Sequence, residues 1–258
     1  MSEPCVLVDR ADGVGRIMLN RPEAMNAITV DLGRALADAI TGLAHEPDVR
    51  VILIRGAGGN FCVGGDFREV ERLRSQGLSG LRPLFDNFAE ACDSIARVEI
   101  PVVAAVEGYA MAGGFELTLA ADIALVRADA VLADNHVKFG QIPGGGSSQR
   151  LPRLVGRQRA LGLILSGGRL SGLDAVSWGL AFRSFPAADF DAGVADFTAA
   201  LAGRPRAAVA EIKRLVYAGL AAPLAEGLAL ERRAVVDFIA GDAGAAGVAQ
   251  FNTRGEQP

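Results

Sequence analysis

With 258 residues, half of them apolar and 22% charged, the chain can bury a substantial core. It shows neither the charge bias of disordered segments nor an apolar run of membrane-spanning length. Its formal net charge of −4 supplies no basic field for wrapping nucleic acid, and the three cysteines, Cys5, Cys62 and Cys92, have no CxxC spacing, which argues against a disulfide framework and a zinc site.

The N-terminal residues lead directly into an alternating apolar pattern, without the basic, apolar and small-residue signature of a secretory leader, so a cytoplasmic protein is expected. Residues 5–10 and 14–20 alternate around Asp12-Gly13, the signal of a β-hairpin. Thr29 is placed to cap a helix running to about His45, with Val30, Leu32, Leu36, Ala39, Ile40 and Leu43 at helical spacing. His45 then reads as an ordinary helix C-terminal residue. A strand at 49–55, a helix near 81–98, a strand at 101–106, a helix from about 112 and a strand at 122–127 continue the alternation and predict a parallel-rich α/β core. From about 188 the pattern becomes helix after helix, interrupted at Gly and Pro. An α/β core over 1–187 and a helical segment over 188–258, whose apolar stripes must be covered by something, are therefore expected.

Two glycine-rich stretches carry the chemistry. NFCVGGDFREV (60–70) and VEGYAMAGGFELTLAAD (106–122) each follow an apolar strand and run into a helix. Such loops can aim two main-chain N–H groups at one developing negative charge, helped by the positive end of a helix dipole. Glycine in such loops lets a substrate carbonyl come close to the backbone. Glu116 stands three residues after Gly113, in the first turn of its helix, where a carboxylate serves either as a capping feature or as an acid/base group. Cys62, near the first loop, has no histidine close in sequence and reads as a packing residue. GGGSSQR (144–150) lacks the GxxxxGK[ST] of a phosphate loop and the strand-to-helix context of a dinucleotide fingerprint.

These stretches, together with NRPEAMNAI (20–28), FGQIPGGGSSQRLPRLVG (139–156) and the LILSGGRLSGLDAVSWGL run (163–180), resemble the enoyl-CoA hydratase/isomerase (crotonase) family in order and spacing over about nine-tenths of the chain. The resemblance implies a spiral of repeated strand–strand–helix units with a C-terminal helical segment that forms a trimer interface, hence a homotrimer or a dimer of trimers. It implies an acyl-CoA thioester substrate, with coenzyme A entering as part of it and no separate cofactor, nucleic acid, membrane or metal as partner. It places the oxyanion hole at Gly65 and Gly113 and a catalytic carboxylate at Glu116. The coenzyme A cradle would fall on Glu23, Ala24 and Met25, on Val63 and Gly64, on Asp66 beside the adenine and on Arg68 near the phosphates, with Gly144 near the acyl pocket. Of the tail, only Arg254 matches a phosphate contact.

One departure stands out. Counting seven residues back from Pro143, the position of the hydratases' second glutamate holds His136, one of two histidines in the chain. A neutral imidazole can hold water or deliver a proton near pH 7. Asp134 and Asn135 precede it; Asp134 shares a face with His136 in an extended segment but not in a helix. The expected activity is hydratase-like addition or elimination of water. An isomerase with a single shuttling base, a hydrolase using His136, and a non-catalytic acyl-CoA-binding protein are the alternatives, and a structural or nucleic-acid-binding role is disfavoured by the acidic balance.

Overall fold

The computed structural model describes residues 3–255, with side chains to 249, and divides into two compact units, Met1–Gly203 and Arg204–Pro258. In the first unit β1 (Val6–Ala11) and β2 (Val14–Leu19) pair antiparallel. Asp12 and Gly13 between them lie at φ 54° and 79°, the positive values a two-residue primed turn requires. Next comes α1 (Val30–His45), whose first turn is closed by the Thr29 hydroxyl accepting from Leu32 N–H, as Thr29's position predicts. Then follow β3 (Val51–Gly56), α2 (Phe67–Arg74), α3 (Gly77–Arg97), β4 (Val102–Val106), β5 (Tyr109–Met111), α4 (Gly113–Ala120), β6 (Ile123–Arg127) and β7 (Val131–Ala133). A 3-10 turn over His136–Phe139 leads to α5 (Ser147–Val155), α6 (Arg157–Ser166), β8 (Leu170–Ser171), α7 (Gly172–Ser177), β9 (Arg183–Phe185) and α8 (Phe190–Ala202).

Six strands form one sheet in the order β1-β2-β3-β4-β6-β9, parallel except for the β1 edge, and β5-β7-β8 form a second, smaller sheet. The chain alternates between the two, β4 to β5 and β6 to β7, which is the repeated strand–strand–helix arrangement expected. Both faces of the large sheet are covered. Ile52, Ile54, Val102 and Ala104 pack into the main core with α1, α3 and α4, while Val51, Leu53, Val103 and Ala105 face Phe190 and Val194 of α8. Strands buried on two faces read as continuous apolar runs. This is also why α8, the first helix beyond 188, belongs to the sheet unit: without it the second face would be bare.

The helix α3 begins at Gly77, ahead of the expected start near 81, and runs through Gly80 and Pro83. Its apolar face against α1 outweighs these breakers. The second unit consists of α9 (Arg206–Leu220), α10 (Leu224–Ala240) and α11 (Asp242–Gly255). Within it Ile212, Val216, Leu220, Leu224 and Val236 stay exposed. Among the described residues no helix is long and apolar enough to cross a membrane.

Candidate active site

The site is assembled where the loop after β3 meets the turn between β5 and α4. Cys62 is stitched to β5, its N–H donating to Tyr109 O at 3.0 Å and its carbonyl accepting from Met111 N–H at 2.9 Å. From the other side Ile28 N–H donates to Gly64 O, and Ile28 O accepts from Asp66 N–H, both at 2.8 Å. Gly64 and Gly65 are thus held between two backbone segments. Glycine at 64 is required, because a Cβ there would lie 2.7 Å from the Ala112 methyl and 3.1 Å from Gly113 N at a φ of +93°.

Ala112 itself sits at φ 48°, ψ −116°, a region that alanine enters only under strain, of order 1–3 kcal/mol. The strained peptide turns the chain sharply from β5 into α4 and presents the N–H of Gly113. Among the described residues the N–H groups of Gly65 and Gly113 enter no hydrogen bond. Both glycines line one cavity of about 120 Å³.

All eight residues of α4 are buried, Glu116 among them at 2% exposure. Its Oε1 accepts from Gly145 N–H at 2.7 Å and Ser147 N–H at 3.0 Å. Oε2 is left facing Nε2 of His136 at 3.8 Å. Burial pushes the Glu116 carboxyl above its ordinary pKa, outweighing the stabilisation of its charge by Ser147, His136 and Gly145. His136 opens the 3-10 turn, and its Nδ1 lies 2.7 Å from Oδ1 of Asp134, which is fully buried. Burial alone would lower the pKa of the imidazole, but the bond to Asp134 and the negative charges of Glu116 and Asp134 prevail and raise it. Asn135, at φ −108° and ψ 13°, is not extended, so Asp134 meets His136 where the chain leaves β7 and bends into the 3-10 turn, a geometry neither extended nor helical.

Glu116, His136, Gly65, Gly113, Val63 and Gly144 thus converge on the same cavity. Apart from Asn135 and Gln141, its remaining wall is largely apolar and aromatic: Phe67 and Phe139, whose ring centroids are 5.4 Å apart, with Phe85, Phe88 and Ile142. A polar end of two unpaired N–H groups, a carboxyl and an imidazole opening onto an apolar sleeve suits a substrate with one reactive polar group on an apolar body.

The profile of the family described as enoyl-CoA hydratase/isomerase matches residues 9–258. The chain belongs to the enoyl-CoA hydratase/isomerase family. It is 34% identical over 252 residues to a probable enoyl-CoA hydratase of Mycobacterium leprae (strain TN), covering 97% of this chain and 96% of that protein. To a mitochondrial enoyl-CoA hydratase of Pongo abelii it is 33% identical over 220 residues, 85% of this chain and 74% of the relative. Among solved structures, the enoyl-CoA hydratase of Bacillus anthracis superposes with a TM-score of 0.90 at 29% identity over 97% and 96% of the two chains. Human enoyl-CoA hydratase domain-containing protein 3 gives 0.92 at 26% identity over 97% and 98%. As an enoyl-CoA hydratase/isomerase family member, the protein is an acyl-CoA enzyme with the crotonase fold.

The residues expected to cradle coenzyme A are less tightly gathered. Glu23 and Ala24 lie on a 3-10 turn over Pro22–Ala24, with Met25 following in the left-handed region, and none of the three lines the cavity. Asp66 caps α2, accepting from Arg68 and Glu69 N–H, and accepts from Arg21 Nη2 at 2.9 Å. Burial works to raise its pKa, but the Arg21 guanidinium and the helix N–H groups win and hold it below the ordinary carboxylate range. Arg68 is exposed on α2, and the side chain of Arg254 lies outside the described residues.

Cys62 is fully buried, its thiol pushed up to about 12 by desolvation, which suits a packing residue. His45 ends α1 with Nδ1 2.7 Å from Thr41 O. Not foreseen in the sequence were the Gly145 and Ser147 N–H groups on Glu116, the strained peptide at Ala112, and Phe85 and Phe88 as cavity wall, Phe88 while also part of the main core.

Proposed function

We propose that this family member is a hydratase-type hydro-lyase that adds water to a 2-enoyl-CoA, or removes it from the 3-hydroxyacyl-CoA. The observation that carries the reading is the pair of free atoms, Glu116 Oε2 and His136 Nε2, 3.8 Å apart on the cavity wall. Oε1 of Glu116 is already engaged by two N–H groups, so Oε2 is the oxygen available for chemistry. A water at ordinary hydrogen-bond length, about 2.8 Å, can touch both atoms at once.

In the reaction Glu116 takes one proton of this water as its oxygen bonds to the β-carbon. The electrons of the double bond move onto the thioester oxygen, which the N–H groups of Gly65 and Gly113 stabilise as an oxyanion hole. The imidazolium of His136 then delivers its proton to the α-carbon. Return of the proton from Oε2 to Nε2 restores the starting state. A donor in such a hole is worth about 2.7–4 kcal/mol, and a positioned acid or base about 10²–10⁴-fold. Proton transfer and enolate stabilisation of this kind need no redox cofactor, and coenzyme A enters as part of the substrate, in keeping with the family. The exposed apolar residues of α9 and α10 support packing against further copies, as a homotrimer or a dimer of trimers; sedimentation of the purified protein measures this directly.

The deciding experiment follows the conjugated thioester absorbance of crotonyl-CoA and of a longer trans-2-enoyl-CoA. Loss of absorbance that is absent in Glu116→Gln is the expected result. Saturable binding without turnover refutes hydration and moves the reading to double-bond isomerisation, hydrolysis of another acyl group, or acyl-CoA binding without catalysis.

A further inference from the structure

We propose that Asp134 is the positioning residue of the site: it holds the Nδ1 proton of His136, so that Nε2 is the nitrogen that gives and receives the proton at the substrate's α-carbon. The inference rests on the proposed hydration only for the identity of that carbon; the positioning itself follows from the free protein. Asp134 comes directly after β7, fully buried, and meets the imidazole at 2.7 Å through Oδ1. Its other oxygen, Oδ2, is buried without a hydrogen-bond partner among the described residues.

A buried carboxylate is costly to leave unpaired. The group against it here is one imidazole, and against an ionised carboxylate, which only accepts, that contact takes a proton on Nδ1. The neutral ring is thereby fixed as the Nδ1–H tautomer with its lone pair on Nε2, and the charged ring is favoured because it neutralises Asp134. The charged groups facing the ring are Asp134 on the Nδ1 side and Glu116, from α4, on the Nε2 side. Two carboxylates therefore flank one imidazole, and the two do different work: Asp134 has no place on the cavity wall and never meets the substrate, whereas Glu116 does. A second glutamate could serve as an acid only if its own carboxyl were protonated. The Asp134–His136 pair supplies an acid whose proton is favoured by a neighbouring charge.

The reaction balances with this assignment. One proton of water goes to Glu116 Oε2, the proton of His136 Nε2 goes to the α-carbon, and transfer from Oε2 to Nε2 closes the cycle with the Nδ1 proton unmoved throughout.

The test is nitrogen-15 and proton NMR of the substrate-free protein, where His45 is the only other histidine and His136→Gln assigns the signals. The wild-type ring is expected to show the Nδ1–H tautomer when neutral and to titrate above its ordinary 6.5. Asp134→Asn is expected to lower the His136 midpoint by about one unit or more, a tenfold change in proton affinity. In that variant kcat should fall at least about tenfold with KM nearly unchanged, a fraction of the roughly 10²–10⁴-fold a positioned acid contributes. In a His136→Gln background the same substitution should cause no further loss of kcat, because Asp134 then has nothing to position.

An Nε2–H tautomer in the wild type overturns the proposal, and this reading stands even if Asp134→Asn does not fold. So does an unchanged midpoint in a folded Asp134→Asn, or an equal loss with and without His136. The expected NMR results in a protein that fails to hydrate enoyl-CoA would refute the hydratase reading alone and leave Asp134 in its role.

Discussion

In the proposed reaction Glu116 performs two tasks through two oxygens, and a pair of substitutions separates them. Glu116→Gln retains an oxygen for Gly145 and Ser147 N–H, which now lie at 2.7 and 3.0 Å from Oε1, but places an amide where the base was. Turnover should fall about 10²–10⁴-fold, or about 2.7–5.4 kcal/mol of barrier, with thioester affinity nearly intact. Stability should stay within about 1 kcal/mol, because both N–H groups remain paired and a buried carboxyl has been replaced by a neutral group.

Glu116→Ala loses the same activity and also leaves two buried donors unpaired. At about 1–3 kcal/mol each, it should be destabilised by about 2–6 kcal/mol. The assay is crotonyl-CoA absorbance for turnover, calorimetry for affinity and urea unfolding for stability. Turnover in Glu116→Gln within about threefold of wild type, far below the expected effect of losing a base, would remove Glu116 from the chemistry. Equal destabilisation of the two variants would show that the 145–147 loop is held by charge and not by an acceptor.

Ala112→Gly should stabilise the protein by about 1 kcal/mol in urea unfolding, the relief of a strained φ/ψ less the entropy of an added glycine; destabilisation would show that the methyl's packing matters more than the strain. Gly145→Ala places a Cβ 2.4 Å from the Phe88 ring and 2.9 Å from Glu116 Oε2. It should cost about 1–3 kcal/mol by overpacking and lower kcat by shifting Glu116, both readable in the same assays. His136 has a folded pKa above its ordinary 6.5, so its contribution to stability is complete below 6.5 and is lost as the pH rises through the higher folded value. The difference in unfolding free energy between wild type and His136→Gln should therefore grow in favour of wild type as the pH falls from alkaline toward 6.5. The same substitution should also remove the corresponding limb of the pH–rate profile.

Much of the site could be read from local pattern. Composition and periodicity mark the two glycine loops as strand–loop–helix transitions, and the family resemblance picks out Gly65, Gly113 and Glu116 within them. Thr29 and the Asp12-Gly13 turn were legible for the same reason, each being a local hydrogen-bond or dihedral requirement. The Asp134–His136 contact was open between an extended and a helical segment, and the structure makes it in neither, through a bend at Asn135 (ψ 13°) between β7 and the 3-10 turn. What stayed hidden was tertiary. Gly145 and Ser147 reach Glu116 across 29 and 31 residues, and nothing in GGGSSQR indicates that its N–H groups close on a carboxylate instead of a phosphate. Phe85 and Phe88 obey the helical period of α3 whether they face core or cavity. The start of α3 was masked by Gly77, Gly80 and Pro83, whose propensities are overridden by packing against α1.

The 3.8 Å between Glu116 Oε2 and His136 Nε2 also fixes the stereochemistry of the proposed hydration. An enoyl thioester is flat, and for two groups to act from its opposite faces each must stand at a van der Waals distance from the plane, a separation of about 7 Å at roughly 3.5 Å per side. Atoms little more than half that far apart share one face. The hydroxyl and the hydrogen would then be laid down on the same side of the former double bond, and one of the two diastereotopic hydrogens at the α-carbon would exchange with solvent.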